Sequence, residues 1–175
     1  MGKTDFLTAF SRLLRDGPLR DTYAREPQRA LEILDIKNSE HAAFLAINPV
    51  DLEFQAEVLL HKRFDLVSRM IPQTVKNAGD QAWPWFAEYA RACWPANENP
   101  ALADTRGFCS YLARKHPSVV STPEQNRVRF AAGKARVAIH IVPDLVFRRE
   151  RRHGLQVFLR TTDGGWREFR LYFGL

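Results

Sequence analysis

The chain has 175 residues, of which 45% are hydrophobic and 26% are charged, a composition typical of a globular protein with one core or two small ones. No apolar run approaches the roughly 18 residues that a membrane-spanning helix needs, and the first residues do not have the pattern of a signal peptide, so we predict a cytoplasmic protein. The two cysteines, Cys93 and Cys109, form no paired motif, which argues against a disulfide framework or a zinc finger.

Charge is distributed unevenly along the chain. The formal net charge is +6, but residues 1–100 carry 12 basic and 14 acidic side chains, whereas residues 101–175 carry 14 basic and 6 acidic ones. The two parts therefore have net charges of −2 and +8. A basic C-terminal part suits nucleic acid, an acidic peptide or an acidic protein surface, and charge alone does not choose among them.

Short helices are predicted at the start of the chain. Thr4 is the expected cap of the first helix, and Gly17 and Pro18 end it and start the second. Pro27 begins a third helix, and Ser39 caps a fourth.

A single long helix follows and is expected to organise the others. Asn48 is its predicted cap, Pro49 occupies its first position, and Pro72 stops it. Its core-facing residues recur at steps of three and four, which predicts a stripe buried against the neighbouring helices. The stripe consists of Leu52, Ala56, Leu59, Leu60, Arg63, Val67 and Met70.

The best domain boundary is the polar, proline-bracketed stretch from Pro95 to Pro100. Before it, Asp80 starts a helix rich in tryptophan; after it, Asp104 is the expected cap of a helix that ends near Pro117. We therefore predict a helical bundle over residues 1–95, a linker and bridging helix over residues 96–125, and an antiparallel sheet over residues 126–175.

From Asn126 the apolar period changes to two, which is typical of strands. Valine and phenylalanine alternate with arginine over residues 127–130, and further alternating runs cover 137–142, 145–149 and 155–160. The stretch 150–154 is expected to connect two strands, and Asp163-Gly164-Gly165 is a tight-turn signal before the last one. The predicted fold class is α+β, with a helical bundle followed by a small sheet of four or five strands.

No catalytic constellation is apparent in the sequence. The five histidines stand singly, without the spacing that would place two of them on one helical face, so we expect no metal site. Cys109 has no neighbouring histidine or aspartate that would activate it and is interpreted as a structural thiol. We accordingly predict neither catalytic residues nor a cofactor in this chain.

Basic residues of the sheet are the remaining candidates for a binding site. An open edge strand can pair with an extended peptide, and arginines beside it can bind carboxylates of the peptide or of a partner protein. The alternatives are an ordinary solvated face and a site for single-stranded nucleic acid, in which Phe158, Trp166 and Tyr172 would stack on bases. The candidate peptide- or partner-binding residues are Lys134, Arg136, Arg148, Arg149, Arg151, Arg152, Arg160 and Arg167.

Several segments resemble a known family. They are Leu14–Arg20, Leu60–Arg63, Phe86–Ala90 and Gly165–Leu171, which together with scattered matching positions cover most of the chain. They are similar to accessory partner subunits of multinuclear-iron TIM-barrel oxygenases in ribosomal peptide natural-product biosynthesis. Partner subunits of the 3-thiaglutamate pathway are the most similar, and those of methanobactin synthesis are more distant.

The resemblance implies a function that the residues alone do not. The barrel enzyme of such systems holds the iron and modifies a cysteine of a precursor peptide; in the 3-thiaglutamate case it excises the β-carbon. The partner subunit has no metal ligands, stabilises the barrel and helps to hold the peptide. We therefore expect a non-catalytic subunit whose partners are the iron enzyme and a precursor peptide with a reactive cysteine, with nucleic-acid binding by a regulatory protein as the alternative.

Overall fold

The computed structural model describes residues 4–91, 93–95, 99–147 and 150–173, with the side chains of residues 144, 147 and 151 outside that description. Helices come first and strands last, which confirms the predicted α+β class. The chain divides into two compact units. Unit 1 comprises Met1–Asp65 and Trp83–Ala96, and unit 2 comprises Leu66–Ala82 and Asn97–Leu175.

The elements follow one another in a simple order along the chain. The α-helices are α1 (Phe6–Arg15), α2 (Gly17–Arg25), α3 (Pro27–Leu34), α4 (His41–Leu45), α5 (Pro49–Met70), α6 (Pro72–Ala78), α7 (Ala82–Arg91), α8 (Pro100–Lys115) and α9 (Thr122–Ala132). Short 3₁₀ turns occur at Asn38–Glu40, Gly79–Gln81 and Pro117–Val119. The strands are β1 (Val137–Phe147), β2 (Glu150–Arg160) and β3 (Trp166–Tyr172).

The long helix α5 has the predicted bounds. The side-chain oxygen of Asn48 accepts a hydrogen bond from the backbone N–H of Val50 at 2.9 Å, which satisfies one of the free donors at the helix start. The helix ends at Met70, before Pro72. Leu52, Ala56 and Val67 of the predicted stripe are buried.

The predicted cap of α1 is wrong by one residue. Asp5 caps the helix, with its carboxylate accepting from the backbone N–H of Thr8 at 3.0 Å. Thr4 is instead paired with Ile36 in an isolated parallel β-bridge. The backbone of Thr4 is extended and bound elsewhere, so the next oxygen-bearing side chain takes the capping position.

An ionic cluster joins helices within unit 1. Arg20, whose side chain is only 4% exposed, donates from Nε to Glu53 at 2.7 Å and from Nη1 to the carbonyl of Leu14 at 2.7 Å. Arg91 bridges Glu53 at 3.0 Å and Asp21 at 2.6 Å. The hydrogen bond from Arg20 is the main cause of the lowered pKa of Glu53; burial opposes it. The cluster therefore ties the end of α1 and helices α2 and α7 to α5.

The bridging helix begins earlier than predicted. Asn99 caps α8 by accepting from the backbone N–H of Leu102 at 3.1 Å. Asp104, the predicted cap, is buried within the helix. Proline at the first position of α8 follows the usual preference for helix starts, and it marks the true beginning.

The strand predicted from Asn126 is wrong, because residues 122–132 form helix α9. Pro123 lies in its first turn, and the helix contacts α8 as well as strands β1 and β2. Contacts on more than one side bury Glu124, Asn126, Val128 and Phe130. As a result every second residue from 124 to 130 is buried, and the sequence shows the period of two that is typical of a strand.

The sheet of the described residues has three antiparallel strands in the order β1-β2-β3, fewer than predicted. The two strands predicted over 137–142 and 145–149 form one strand, β1, as far as residue 147, with a register shift between Val142 and Leu145; residues 148 and 149 lie outside the described residues. Pro143 lies in that shift and cannot donate to a ladder. The predicted connection 150–154 belongs to β2.

Candidate functional site

One face of the sheet is apolar and exposed. Ile139 of β1 pairs with Val157 of β2, which pairs with Phe169 of β3. The next row consists of Ile141, Leu155 and Leu171, and the row on the other side consists of Val137, Leu159 and Arg167. We call the eight apolar residues of these rows the apolar sheet face.

Exposure distinguishes this face from an ordinary core layer. Ile141 is 78% exposed, Ile139 62%, Leu171 55% and Phe169 45%, while Leu155 and Val157 in the middle strand are half-buried. Single exposed apolar residues are common, but contiguous patches usually mark interaction sites. The size and continuity of this patch make it the principal candidate site.

The opposite face of the sheet is the covered one. Phe158 is fully buried, and its ring stacks on that of Phe130 from α9 with centroids 5.0 Å apart. Trp166 packs against both rings edge-on. Because neighbouring residues of a strand point to opposite faces, this aromatic packing fixes the odd-numbered residues of β2, of β3 and of β1 before its register shift on the exposed side. Beyond that shift Leu145 is buried and Val146 is exposed.

A buried polar network also holds α9 on the covered face. Gln156, with no exposed surface, donates to the carbonyl of Pro123 at 2.9 Å and to Glu168 at 3.0 Å, and accepts from Asn126 at 3.2 Å. Buried polar groups need such partners, and only one register and one docking of the helix provide all of them. The network thus specifies which face of the sheet stays exposed.

Close backbone approach in the middle strand depends on Gly154. A Cβ atom at this position would meet the carbonyl oxygen of Leu171 in β3 and, at 2.7 Å, the Cδ1 atom of Leu145 in β1. Both neighbours lie on the adjacent strands, which cannot move without breaking their ladders. Glycine is therefore required for β1 and β3 to close on β2.

The predicted binding residues do not coincide with the apolar sheet face. Lys134 and Arg136 are exposed just before β1, and Arg167 lies on the same face as the apolar rows. Arg152 is exposed near the start of β2 and pairs with Glu150 at 2.7 Å. Arg148, Arg149 and the side chain of Arg151 lie outside the described residues.

Arg160 has a structural environment. Its Nη2 donates to the carbonyls of Gly133 at 2.9 Å and Phe130 at 3.1 Å, and its Nε donates to the carbonyl of Ala135 at 3.3 Å. These carbonyls follow the end of α9, where the helix leaves acceptors unsatisfied. Arg160 thereby fixes the connection from α9 into β1.

The aromatic residues considered for base stacking are engaged within unit 2. Phe158 is buried, Trp166 packs on Phe130 and Phe158, and Tyr172 donates its hydroxyl to the carbonyl of Val146 at 3.2 Å. Nucleic-acid stacking needs open ring faces. This arrangement weakens the nucleic-acid interpretation.

The apolar sheet face was missed in the sequence, although a signal for it is present. In β1 the residues on both faces are largely apolar, since Val137, Ile139 and Ile141 alternate with Ala138 and Val142. A half-exposed strand normally alternates apolar with polar residues. Apolar residues on both faces of a strand in so small a sheet indicate a second buried surface, which none of the described residues covers.

Thiol chemistry is restricted by burial. Cys109 is 2% exposed, and burial, reinforced by the charge of Glu124, raises the pKa of its thiol to about 12. At neutral pH it is protonated and a poor nucleophile. Cys93 is exposed.

Among the described residues, no group of three or more histidine, cysteine, aspartate or glutamate side chains is arranged to hold a metal ion.

Part of the chain matches the model of a known protein family. Residues 46–114 match the family model described as SCO6045-like, C-terminal domain. The matched residues run from the end of α4 into α8 and stop before the sheet, and they amount to less than half of the chain. That description names no activity, substrate or partner. No curated protein and no solved structure matches the chain.

None of the helices in the described part of the chain combines the length and apolar character that crossing a membrane would require.

Proposed function

We propose that this protein is a non-catalytic subunit that binds a folded partner protein through the apolar sheet face. The observation that carries the proposal is the alignment of eight apolar side chains in three rows, six of them exposed and two half-buried. Burying apolar area contributes roughly 25 cal/mol per Å², so a partner that covers this face gains free energy without any rearrangement of the sheet.

Charge around the face indicates what the partner should look like. Arg167 lies in one of the three rows, and Lys134 and Arg136 are exposed where the chain enters β1. Protein interfaces commonly have an apolar centre and a polar rim of complementary charge. The partner we propose therefore presents an apolar patch bordered by acidic residues.

We further propose that the partner is a multinuclear-iron TIM-barrel oxygenase and that the complex holds a ribosomally made precursor peptide for modification of its cysteine, as in the 3-thiaglutamate pathway. The support for these finer statements is the sequence resemblance described above. The iron belongs to the barrel enzyme in this proposal. The peptide would use an open edge of the three-stranded sheet together with the neighbouring arginines.

Co-expression with a multinuclear-iron TIM-barrel protein tests the main proposal, which predicts that such a protein is encoded beside this chain. We expect the two proteins to co-elute in size-exclusion chromatography, and an Ile139→Lys/Phe169→Lys variant to elute alone. Val50→Lys is the matched control, because Val50 is 74% exposed on α5 and lies far along the chain from the sheet. Circular dichroism would verify that each variant is folded.

Three outcomes would contradict this proposal. Separate elution of the wild-type proteins rejects the barrel as the partner. Undiminished co-elution of the doubly substituted variant rejects the apolar sheet face as the interface. A concentration-dependent dimer in light scattering, lost in the same variant, would assign the face to a second copy of the chain.

The peptide-binding part has its own test. Replacing Arg148, Arg149, Arg151 and Arg152 with alanine should weaken the affinity for the precursor peptide, measured by fluorescence anisotropy, more than it lowers the folding midpoint. Unchanged affinity would make these arginines an ordinary solvated face. A nucleic-acid-binding function instead predicts retention on heparin and an affinity whose logarithm falls linearly with log salt.

A further inference from the structure

A polar cleft of about 810 Å³ lies in unit 2, between α6, the segment before α9, α9 itself and the sheet. Three cationic side chains from three different elements line it: Lys76 of α6, Arg127 of α9 and Arg170 of β3. We call this the basic cleft. Such convergence of cations on one concavity differs from the scattered basic residues on the rest of the sheet.

The two arginines are held by one shared carboxylate. Arg170 donates from Nε to Oε1 of Glu168 at 2.6 Å, and Arg127 donates from Nε to Oε2 at 2.8 Å. Gln156 donates to Oε1 as well, at 3.0 Å. Burial opposes ionisation of Glu168, but the hydrogen bonds from Arg170, Arg127 and Gln156 outweigh it, so the pKa of this carboxyl is lowered. Both guanidinium groups are thus fixed in position.

Fixing an arginine through Nε leaves its fork of terminal N–H groups for other acceptors. A guanidinium has five N–H donors, and the bond to Glu168 uses one from each arginine. Arg170 also has a side-chain hydrogen bond to Tyr172, so Arg127 keeps its whole fork and Arg170 keeps part of its own. The side chains are 29% exposed in Arg127 and 33% exposed in Arg170. Positioned forks of this kind bind carboxylate and phosphate oxygens in pairs.

The second carboxylate of the cleft is already satisfied. Glu124 is buried and accepts from the backbone N–H groups of Gln73 at 2.7 Å and Thr74 at 2.8 Å, and from the hydroxyl of Thr74 at 2.8 Å. Three donors compensate its charge locally. The two arginines, Lys76, Glu124 and Glu168 together have a formal net charge of +1, which is suited to one anionic group.

We propose that the basic cleft binds an oxyanion group, a carboxylate or a phosphate, of a small ligand, with the fork of Arg127 and the remaining terminal N–H groups of Arg170 on its oxygens and Lys76 as an additional cation. This site goes beyond the docking of a partner protein on the apolar sheet face. It requires only unit 2 in its folded form.

Titration of the full-length ¹⁵N-labelled protein, followed through the arginine Nε–H resonances, tests the proposal. The signals of Arg127 and Arg170 are identified by their loss in the Arg127→Lys and Arg170→Lys variants. Inorganic phosphate and acetate are the two probes, and sodium chloride at matched ionic strength controls for screening. We expect both signals to shift saturably with phosphate, with acetate, or with both, and the responding probe identifies the group.

The Lys76→Gln variant measures how much Lys76 contributes to the affinity. Lys76 is exposed, so its loss should leave the fold intact and weaken the affinity for the responding probe about fivefold, the upper range for one exposed charge. Lys62→Gln, at an exposed position on α5, should leave the affinity unchanged. The proposal is overturned if neither probe gives a saturable shift, if chloride gives the same shift, or if Lys76→Gln binds as tightly as the wild type.

Discussion

Arg20 and Glu53, 33 positions apart in the sequence, meet at 2.7 Å between Nε and Oε2. The guanidinium of this pair is buried, and it also donates to the carbonyls of Leu14 at 2.7 Å and Leu13 at 3.5 Å. One side chain thus satisfies acceptors at the end of α1 and holds a carboxylate of α5.

Arg20→Met should destabilise unit 1 by about 2–3 kcal/mol, because it removes a charged hydrogen bond and leaves helix-end carbonyls without their donor. The midpoint of urea unfolding at pH 7 measures the effect. Arg29→Met is the matched control, since Arg29 is 65% exposed and its ion pair spans 3.6 Å; its midpoint should change little. Equal losses in the two variants would contradict a special role for Arg20.

Glu168 should make the stability of unit 2 depend on pH in a defined direction. Its folded-state pKa lies below the ordinary value of 4.5, so its stabilising contribution is complete above pH 4.5 and is lost as the pH falls through the folded-state value. Glu168→Gln should therefore be less stable than the wild type at pH 7, and the difference should shrink below pH 4.5. Thermal unfolding at several pH values provides the measurement.

Glu32→Gln is the control for that experiment, because Glu32 is exposed on α3. Its difference from the wild type should stay small at every pH. A constant difference between Glu168→Gln and the wild type down to pH 3 would show that the carboxylate charge does not stabilise the network.

Gly154→Ala should lower the stability of the sheet by about 1–3 kcal/mol, the usual cost of forcing a methyl group into a packed site. The added carbon would meet the backbone of Leu171 and the side chain of Leu145. The midpoint of thermal unfolding, followed by circular dichroism, reports the change. His153→Ala, at the exposed neighbouring position, should melt close to the wild type, and similar melting of both variants would argue against the close approach.

The two thiols should differ in reactivity by exposure and pKa. Ellman's reagent at pH 8 should modify Cys93 rapidly and Cys109 only after unfolding, because Cys109 is buried and its pKa is about 12. The Cys93→Ser variant should therefore show no rapid phase, whereas Cys109→Ala should retain it. A rapid phase in folded Cys93→Ser protein would contradict the buried position of Cys109.

Local signals in the sequence were sufficient to predict much of the helical part of the fold. Asn48 with Pro49 and then Pro72 delimit α5 because capping and proline geometry depend on a few adjacent residues. Helix α9 was misread because packing on several sides buries its residues in a pattern that a strand also produces. Periodicity reports which residues are buried, and it identifies the element only when burial is one-sided.

The candidate site was harder to predict for a related reason. Counting arginines located the basic C-terminal part, but Arg160 binds carbonyls at the end of α9, and Arg127 and Arg170 share Glu168. These pairings join residues up to 41 positions apart. Tertiary contacts determine which guanidinium groups are engaged and which face of the sheet α9 covers. No local pattern in the sequence contains those contacts.

The order of the strands along the chain has a consequence for synthesis. Rows that include β3 cannot form before the ribosome has made Phe169 and Leu171, by which time every helix from α1 to α9 has been translated. Domains fold from the N-terminal side as they emerge. The apolar sheet face is therefore completed only after these helices have been made, so α9 is already available to cover the opposite face of the sheet when the three strands pair.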